Sequence, residues 1–454
     1  MTRPERLVVV GGDAAGMSAA ALARRRKPAE ALEVLAFERG NYTSYAACGL
    51  PYYVSDDVDD IARLVARSPE EHRRRGVDVR IEHEVVGIDL DARTVTVVNR
   101  NEGAELVEHF DQLVVATGAT PIRPDLPGVD ARGVHGIQTI YDGVALREHV
   151  DAHRHASQRA VIVGGGYIGL EMAEALHRRG LPVTMIEAGP QPMATLDPDM
   201  GAIVAGAVRR LGIELRTDTP CEGFEVDANG HVRAVQTPAG SIPADLVVLG
   251  IGARPNSTLA RDAGLAVGAT GGITTDRRMA TSAEGVWAAG DCVETFHLVS
   301  RRPVAIALGT HANKQGRVVA INATGGYETF RGVIGTAVTK VCEYEIGRTG
   351  LTEREATAAG FVFDAERIDS TTRASYFPGA HQITVKMLAE RGTGRIIGAQ
   401  VIGREGAAKR IDVLAAGVWN EMTVEEFWQL DLGYAPPFSP VWDPTLVAAW
   451  NLRG

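Results

Sequence analysis

The sequence predicts an α/β protein in which one strand, glycine-turn and helix unit occurs twice, followed by a third unit of α+β type. Three observations carry this reading. Apolar residues 7–10 lead into Gly11, Gly12, Asp13, Ala14, Ala15 and Gly16 and then a helical stretch; residues 160–163 lead into Gly164, Gly165, Gly166, Tyr167, Ile168 and Gly169 and another. Each copy returns to a strand that ends in an acid at about the 20-residue interval such units show, Glu38 after residues 33–37 and Glu187 after residues 182–186. Beyond about residue 327 the glycine turns stop, and the alternating stretches 332–341, 382–388 and 396–402 mark an antiparallel sheet followed by helices from Ala407.

Each element has a physical reason. In both turns the first glycine permits a tight bend, the second lets backbone approach a pyrophosphate, and the last allows the helix to pack closely, its N-terminus facing the phosphates. One such turn is weak evidence; two complete copies predict two Rossmann-like dinucleotide-binding domains. The first copy departs from the pattern at Asp13, whose carboxylate must point away from a pyrophosphate to avoid repulsion. Residues 113–118 and 246–252 read as strands ending in glycine turns where each unit hands over to its neighbour, and residues 281–291 as a strand with the terminal acid Asp291. At 454 residues the chain should form about three domains. The expected division is 1–150 with 253–326, 151–252, and 327–454.

Composition narrows the class. A net charge of -10 gives no global attraction to nucleic acid or an anionic membrane. No apolar run reaches the roughly 18 residues of a membrane helix, and the N-terminus runs straight into its first strand with no room for a signal peptide. The four cysteines, 48, 221, 292 and 342, form no CxxC, so neither structural zinc nor a disulfide framework is expected, and a reducing cytoplasm is the default.

Cys48 carries the chemistry. It lies in the run Ser44, Tyr45, Ala46, Ala47, Cys48, Gly49, Leu50, Pro51, Tyr52, shortly after Glu38, which puts one thiol beside a bound nucleotide. No second cysteine follows within several residues, so the second sulfur, or an oxygen, must come from outside the protein. The thiolate is the reactive form, and the helix expected to begin near Cys48 could lower its pKa.

With these motifs the chain resembles the pyridine nucleotide-disulfide oxidoreductase superfamily over essentially its whole length. Within it, the chain is most similar to the coenzyme A disulfide reductase and NADH oxidase branch, whose SFxxCxxPY motif reads here Ser44, Tyr45, Cys48, Pro51, Tyr52. The resemblance implies FAD and NAD domains plus a C-terminal α+β dimerisation domain. FAD would take the first site, with its pyrophosphate at Gly11, Gly12, Ala15 and Gly16, and its ribose on Glu38 beside Arg39. Further contacts would come from Ser44, Thr117 and Gly118, with Asp291 on the ribityl chain and Thr310 at the helix start that faces the flavin pyrimidine. The nicotinamide nucleotide would take Gly164, Gly166, Ile168, Gly169 and Gly252, with Tyr167 as a gate and Glu171 on the carboxamide. Glu187 accepts from both ribose hydroxyls and repels a 2′-phosphate, and residues 188–193 contain no Arg or Lys, so NADH is preferred with NADPH possible.

The same resemblance implies that Cys48 attacks coenzyme A disulfide and retains one half as Cys48-S-S-CoA. Arg24, Arg25 and Tyr45 would hold the coenzyme A, whereas Arg73, Arg74 and Arg75 read as a solvated face. Tyr376 and Tyr434 would reach the partner's cysteine in a homodimer with shared active sites. Three alternatives remain open. An NADH oxidase would cycle Cys48 through sulfenic acid, and a persulfide or polysulfide reductase would use the same thiol, although that group often appends a rhodanese domain. An electron-transfer flavoprotein reducing a ferredoxin needs no cysteine in this setting. Ala14 stands where peroxidases of the group carry histidine, and Ala47 where the reductases more often carry asparagine.

Overall fold

Strands that are covered on both faces read as unbroken apolar runs, and this is what the two glycine turns follow. The structure, a computed structural model, describes residues 3–152 and 158–453; Met1, Thr2, residues 153–157 and Gly454 lie outside them. In the first sheet Glu5–Val10 is central and parallel to Leu32–Phe37 and Gln112–Val115, with Asp78–Arg80 and Val286–Ala288 at the edges. In the second, Ala160–Val163 is central and parallel to Val183–Ile186 and Leu246–Leu249, with Glu214–Arg216 and Val134–His135 at the edges. Four strands of each sheet keep the same order about the glycine-turn strand, whereas the fifth follows them in the chain in the first sheet and precedes them in the second, so the internal repeat extends from motif to topology for those four.

The chain crosses between these units along two short strands, Ala119–Pro121 and Ala253–Pro255, which pair antiparallel. Val134–His135 already belongs to the second sheet, and the following helix Ile140–Ala152 places Ile140, Leu146 and Val150 in one core with Leu170 and Leu246. Val134–His135 thus pairs in the second sheet although it precedes the boundary expected at residue 150, and the helix after it shares a core with Leu50 and Val54 as well. A two-residue strand has no periodicity to read, which is why the sequence conceals it. Two three-stranded antiparallel sheets, over residues 83–109 and 223–243, were likewise not separated from the units that carry them.

The third unit is a five-stranded antiparallel sheet in the order Ala337–Val341, Tyr344–Gly350, Ile396–Gly403, Gln382–Glu390, Phe363–Thr371. Every residue of Ile396–Gly403 is buried, and Ala407–Trp419 buries Ile411 and Leu414 in the same core as that strand. Polar groups bolt this unit to the second. Lys386, 7% exposed, lies 2.8 Å from Asp199, 2.7 Å from Glu353 and 3.4 Å from Asp197, and Gln400 donates to Asp197 at 2.6 Å. A buried ammonium is tolerated here because three carboxylates surround it.

Candidate active site

The first glycine turn is shaped by steric necessity. A Cβ on Gly11, whose φ is +110°, would lie 2.1 Å from the Ala116 carbonyl oxygen, and one on Gly16 would lie 2.0 Å from that of Gly11. The second turn repeats this, with 2.6 Å from a Cβ on Gly164 to the Gly250 oxygen and 2.0 Å from one on Gly169 to the Gly164 oxygen. The acids are held alike. Gly12 N–H donates to Glu38 Oε2 at 2.7 Å and Gly40 N–H to Oε1 at 2.8 Å; Gly165 and Gly189 donate to Glu187 at the same two distances. Each carboxylate is oriented yet keeps lone pairs for ribose hydroxyls. Neither the helix Ala14–Arg26 nor Tyr167–Arg178 carries a side-chain cap at its N-terminus, so their first N–H groups remain available to a phosphate. The residues present thus fit a dinucleotide at both turns.

Asp13 precedes the first helix but makes no capping bond to it. Its Oδ1 accepts from Tyr45 N–H at 3.2 Å and so ties the glycine turn to the cysteine loop. Burial, followed by the charges of Glu38 and Asp291, pushes the Asp13 carboxyl up to about 7. Asp291 is also raised, by burial. Behind it, a Cβ on Gly316 would come within 2.3 Å of the Ala15 oxygen, so Gly309–Ala323 packs directly against the first helix. Thr310 is exposed in the first turn of that helix.

The cysteine loop is fixed by backbone bonds on both sides. Ser44, at a left-handed φ of +49°, donates its N–H to Gly12 O at 3.0 Å, and Ala66 N–H donates to Ser44 O at 2.9 Å. Ala46 N–H reaches Leu64 O at 2.8 Å. Cys48 then occupies a single 3-10 turn, Ala47–Gly49, before the short helix Leu50–Val54, and it is exposed. Although the residue opens to solvent, protein packed around the sulfur and the charges of Glu171, Asp291 and Asp13 push its pKa up. This corrects the expected direction: a five-residue helix has little dipole to offer, and burial of the sulfur, then the carboxylates, outweighs it.

Glu171 accepts from Thr339 Oγ1 at 2.8 Å, and burial, then Glu174, raises its pKa. Glu174 is paired with Lys340 at 2.7 Å. Burial likewise raises the Tyr167 phenol, which is packed near Thr195 and Arg348. Thr117, Gly118 and Gly252 lie at the crossing between the two units. Thr117 Oγ1 donates to Asn256 O at 2.6 Å, and both glycines have left-handed φ values of +68° and +99°.

The model of the pyridine nucleotide-disulphide oxidoreductases matches residues 5–316, and that of their dimerisation domain matches residues 336–444. The chain belongs to this family. Its oxidoreductases use FAD and NAD(P)H, and this member is an enzyme of the same kind. The CoA-dependent NAD(P)H sulfur oxidoreductase of Pyrococcus abyssi is 40% identical over 449 residues, 98% of each chain. Two solved structures superpose with TM-scores of 0.94. An NAD-dependent persulfide reductase from A. fulgidus is 38% identical, covering 98% of this chain and 82% of that one. Reduced CoADR-RHD of Bacillus anthracis is 33% identical, covering 99% and 81%. Other relatives are named NADH oxidase and coenzyme A disulfide reductase.

Within this family member, the first basic cluster departs from expectation at one residue. Arg24 is spent on backbone, donating to the carbonyl oxygens of Leu32 and Lys27. It is therefore withdrawn as a phosphate ligand. Arg26 bonds Thr324 and Lys27 pairs with Glu5, whereas Arg25 is exposed. Gly76 lies against Arg24, a Cβ there falling 3.0 Å from Arg24 Cδ.

Tyr376 and Tyr434 come together on the dimerisation domain, 76% and 47% exposed, and the hydrogen bond between them raises the Tyr434 pKa. Phe438, Val441 and Trp442 are exposed in the same stretch. A groove of about 410 Å³ beside Glu38, Arg39 and Tyr45 is completed by Tyr42, Arg100, Asn101 and Tyr141. These four escaped the sequence reading because no motif links them; Asn41 N–H donating to the Tyr141 hydroxyl at 2.7 Å spans a hundred positions. Among the described residues no helix is long and apolar enough to cross a membrane, and no cluster of three or more His, Cys, Asp or Glu could hold a metal.

Proposed function

We propose that this flavoprotein reduces coenzyme A disulfide, or a closely related coenzyme A persulfide, with NADH through Cys48. The observation that carries the proposal is a lone thiol on a loop that Asp13 and Gly12 lash to the first glycine turn. FAD, when bound, relays two electrons from NADH to the sulfur. Gly11, Gly12, Ala15 and Gly16 hold its phosphates, Glu38 and Arg39 its ribose end, Asp291 its ribityl chain, and Thr310 lies in the first turn of the helix aimed at its pyrimidine. Ser44, Thr117 and Gly118 line the same site. Gly164, Gly166, Ile168, Gly169 and Gly252 hold NADH, whose ribose hydroxyls Glu187 accepts; Tyr167 and Glu171 flank its nicotinamide.

Cys48 acts as the thiolate. It displaces one coenzyme A as a thiolate and forms Cys48-S-S-CoA; two electrons then cleave that bond to regenerate Cys48 and release the second coenzyme A. Tyr45 and Arg25 bind the coenzyme A. Tyr376 and Tyr434 of a second copy protonate the departing thiolates, which makes the working unit a homodimer. All four cysteines are free, and we place the protein in a reducing cytoplasm.

Persulfide reduction is kept because relatives named for sulfur, polysulfide or persulfide match this chain over 98% of their own length or more, so an added domain does not separate the two substrates. Mass spectrometry of the isolated protein tests the acceptor: a coenzyme A adduct on Cys48 supports the proposal, and a single added oxygen supports the oxidase. Cys48→Ser should keep FAD and its reduction by NADH while losing coenzyme A disulfide turnover. Parental turnover in that variant would refute the mechanism.

A further inference from the structure

His72 belongs to neither nucleotide motif, yet it is 1% exposed in the helix Pro69–Arg74, with Nε2 3.0 Å from Ser44 Oγ. Its Nδ1 is buried and has no hydrogen-bond partner among the described residues. Burial, then the charges of Arg67 and Arg75, push its pKa down to about 4, so the ring is neutral near pH 7. A neutral imidazole carries one N–H. On Nδ1 that hydrogen would be a buried donor with no acceptor, a rarer arrangement in folded proteins than an idle acceptor. On Nε2 it meets Ser44 Oγ. Ser44 is then the acceptor, and its own hydroxyl hydrogen is left to bond something else. The residue cannot swing away, because its N–H is held by Gly12 O and its carbonyl by Ala66 N–H.

We infer that His72 is a positioning residue whose Nε2–H fixes Ser44 as a hydrogen-bond donor to a phosphate oxygen at the first glycine turn. This rests on the reading that a phosphate-bearing ligand occupies that turn. The phosphate is either the flavin's or coenzyme A's, and both present the same acceptor.

Two constants separate the sources: the Kd for FAD, from flavin fluorescence on reconstituting apoprotein, and the KM for coenzyme A disulfide with FAD saturating. Ser44→Ala and His72→Leu should each weaken one of these constants roughly tenfold, the scale of a hydrogen bond to a charged group. The double variant should be no worse than either single one. His72→Gln, whose amide N–H replaces Nε2–H, should restore most of the loss. A shift in FAD Kd assigns the phosphate to the flavin, and a shift confined to KM assigns it to coenzyme A; either supports the positioning role. Additive losses in the double variant would show that His72 merely packs the loop, and overturn it. So would unchanged constants in Ser44→Ala, or His72→Gln matching His72→Leu at parental melting temperature. Parental protein that bound no FAD would instead strike the underlying reading.

Discussion

A thiol surrounded by Glu171, Asp291 and Asp13 is a poor nucleophile until something offsets those charges. Glu171 is the largest of these electrostatic contributions, so Glu171→Gln should lower the Cys48 pKa. In the absence of NADH, the pH midpoint for iodoacetamide alkylation should move to lower pH, with a several-fold faster rate at neutrality; an unmoved midpoint would remove Glu171 from the thiol's environment. Asp13 gives a second pH signature. Its carboxyl is raised to about 7, so the folded protein keeps a proton that the unfolded chain releases. The stability this contributes is present below the ordinary carboxylate pKa of about 3.9 and is lost as pH rises through about 7. Asp13→Asn should therefore raise the melting temperature at pH 8 and change it little at pH 4. Equal shifts at both values would mean that the carboxyl is ionised throughout.

At the scale of elements, the two turns are separable. A methyl on Gly16 would collide with the Gly11 oxygen and one on Gly169 with the Gly164 oxygen, both at 2.0 Å. Gly16→Ala should yield colourless protein, whereas Gly169→Ala should remain yellow but be bleached by NADH at least tenfold more slowly; a yellow Gly16→Ala protein would undo the assignment of the first turn. These turns were legible because glycine spacing and a terminal acid are local signals. Cys48 was legible for the same reason. The direction of its pKa shift was not, since Glu171 and Asp291 reach it only after folding. Arg24 shows the converse failure: as a sequence it is one of four basic residues in a row, and only the fold turns its guanidinium onto the Leu32 and Lys27 carbonyls. The strand Val134–His135 was hidden by its brevity, its place defined by pairing with residues far along the chain.

At the scale of the molecule, Tyr376 and Tyr434 sit exposed on the dimerisation domain, and a role at Cys48 requires a second copy. Tyr376→Phe with Tyr434→Phe should slow disulfide turnover by one to two orders of magnitude, the loss of charge-assisted hydrogen bonds of about 1.5–3 kcal/mol, and leave flavin reduction unchanged. Mixing these chains with Cys48→Ser chains should restore activity, because one of the two sites in a mixed dimer is then intact. No recovery despite proven subunit exchange would end the shared-site proposal. A different consequence follows from the crossing strands. Ala253–Pro255 lies antiparallel to Ala119–Pro121, with Ala253 opposite Pro121, so the segment carrying the second nucleotide turn leaves and rejoins the chain one strand spacing apart, about 5 Å. In architectural terms it is a cassette: a homologous segment with another ribose-reading acid could be spliced between those two points without rethreading the flavin domain, provided that it kept an acid where Asp197 meets Lys386 and Gln400.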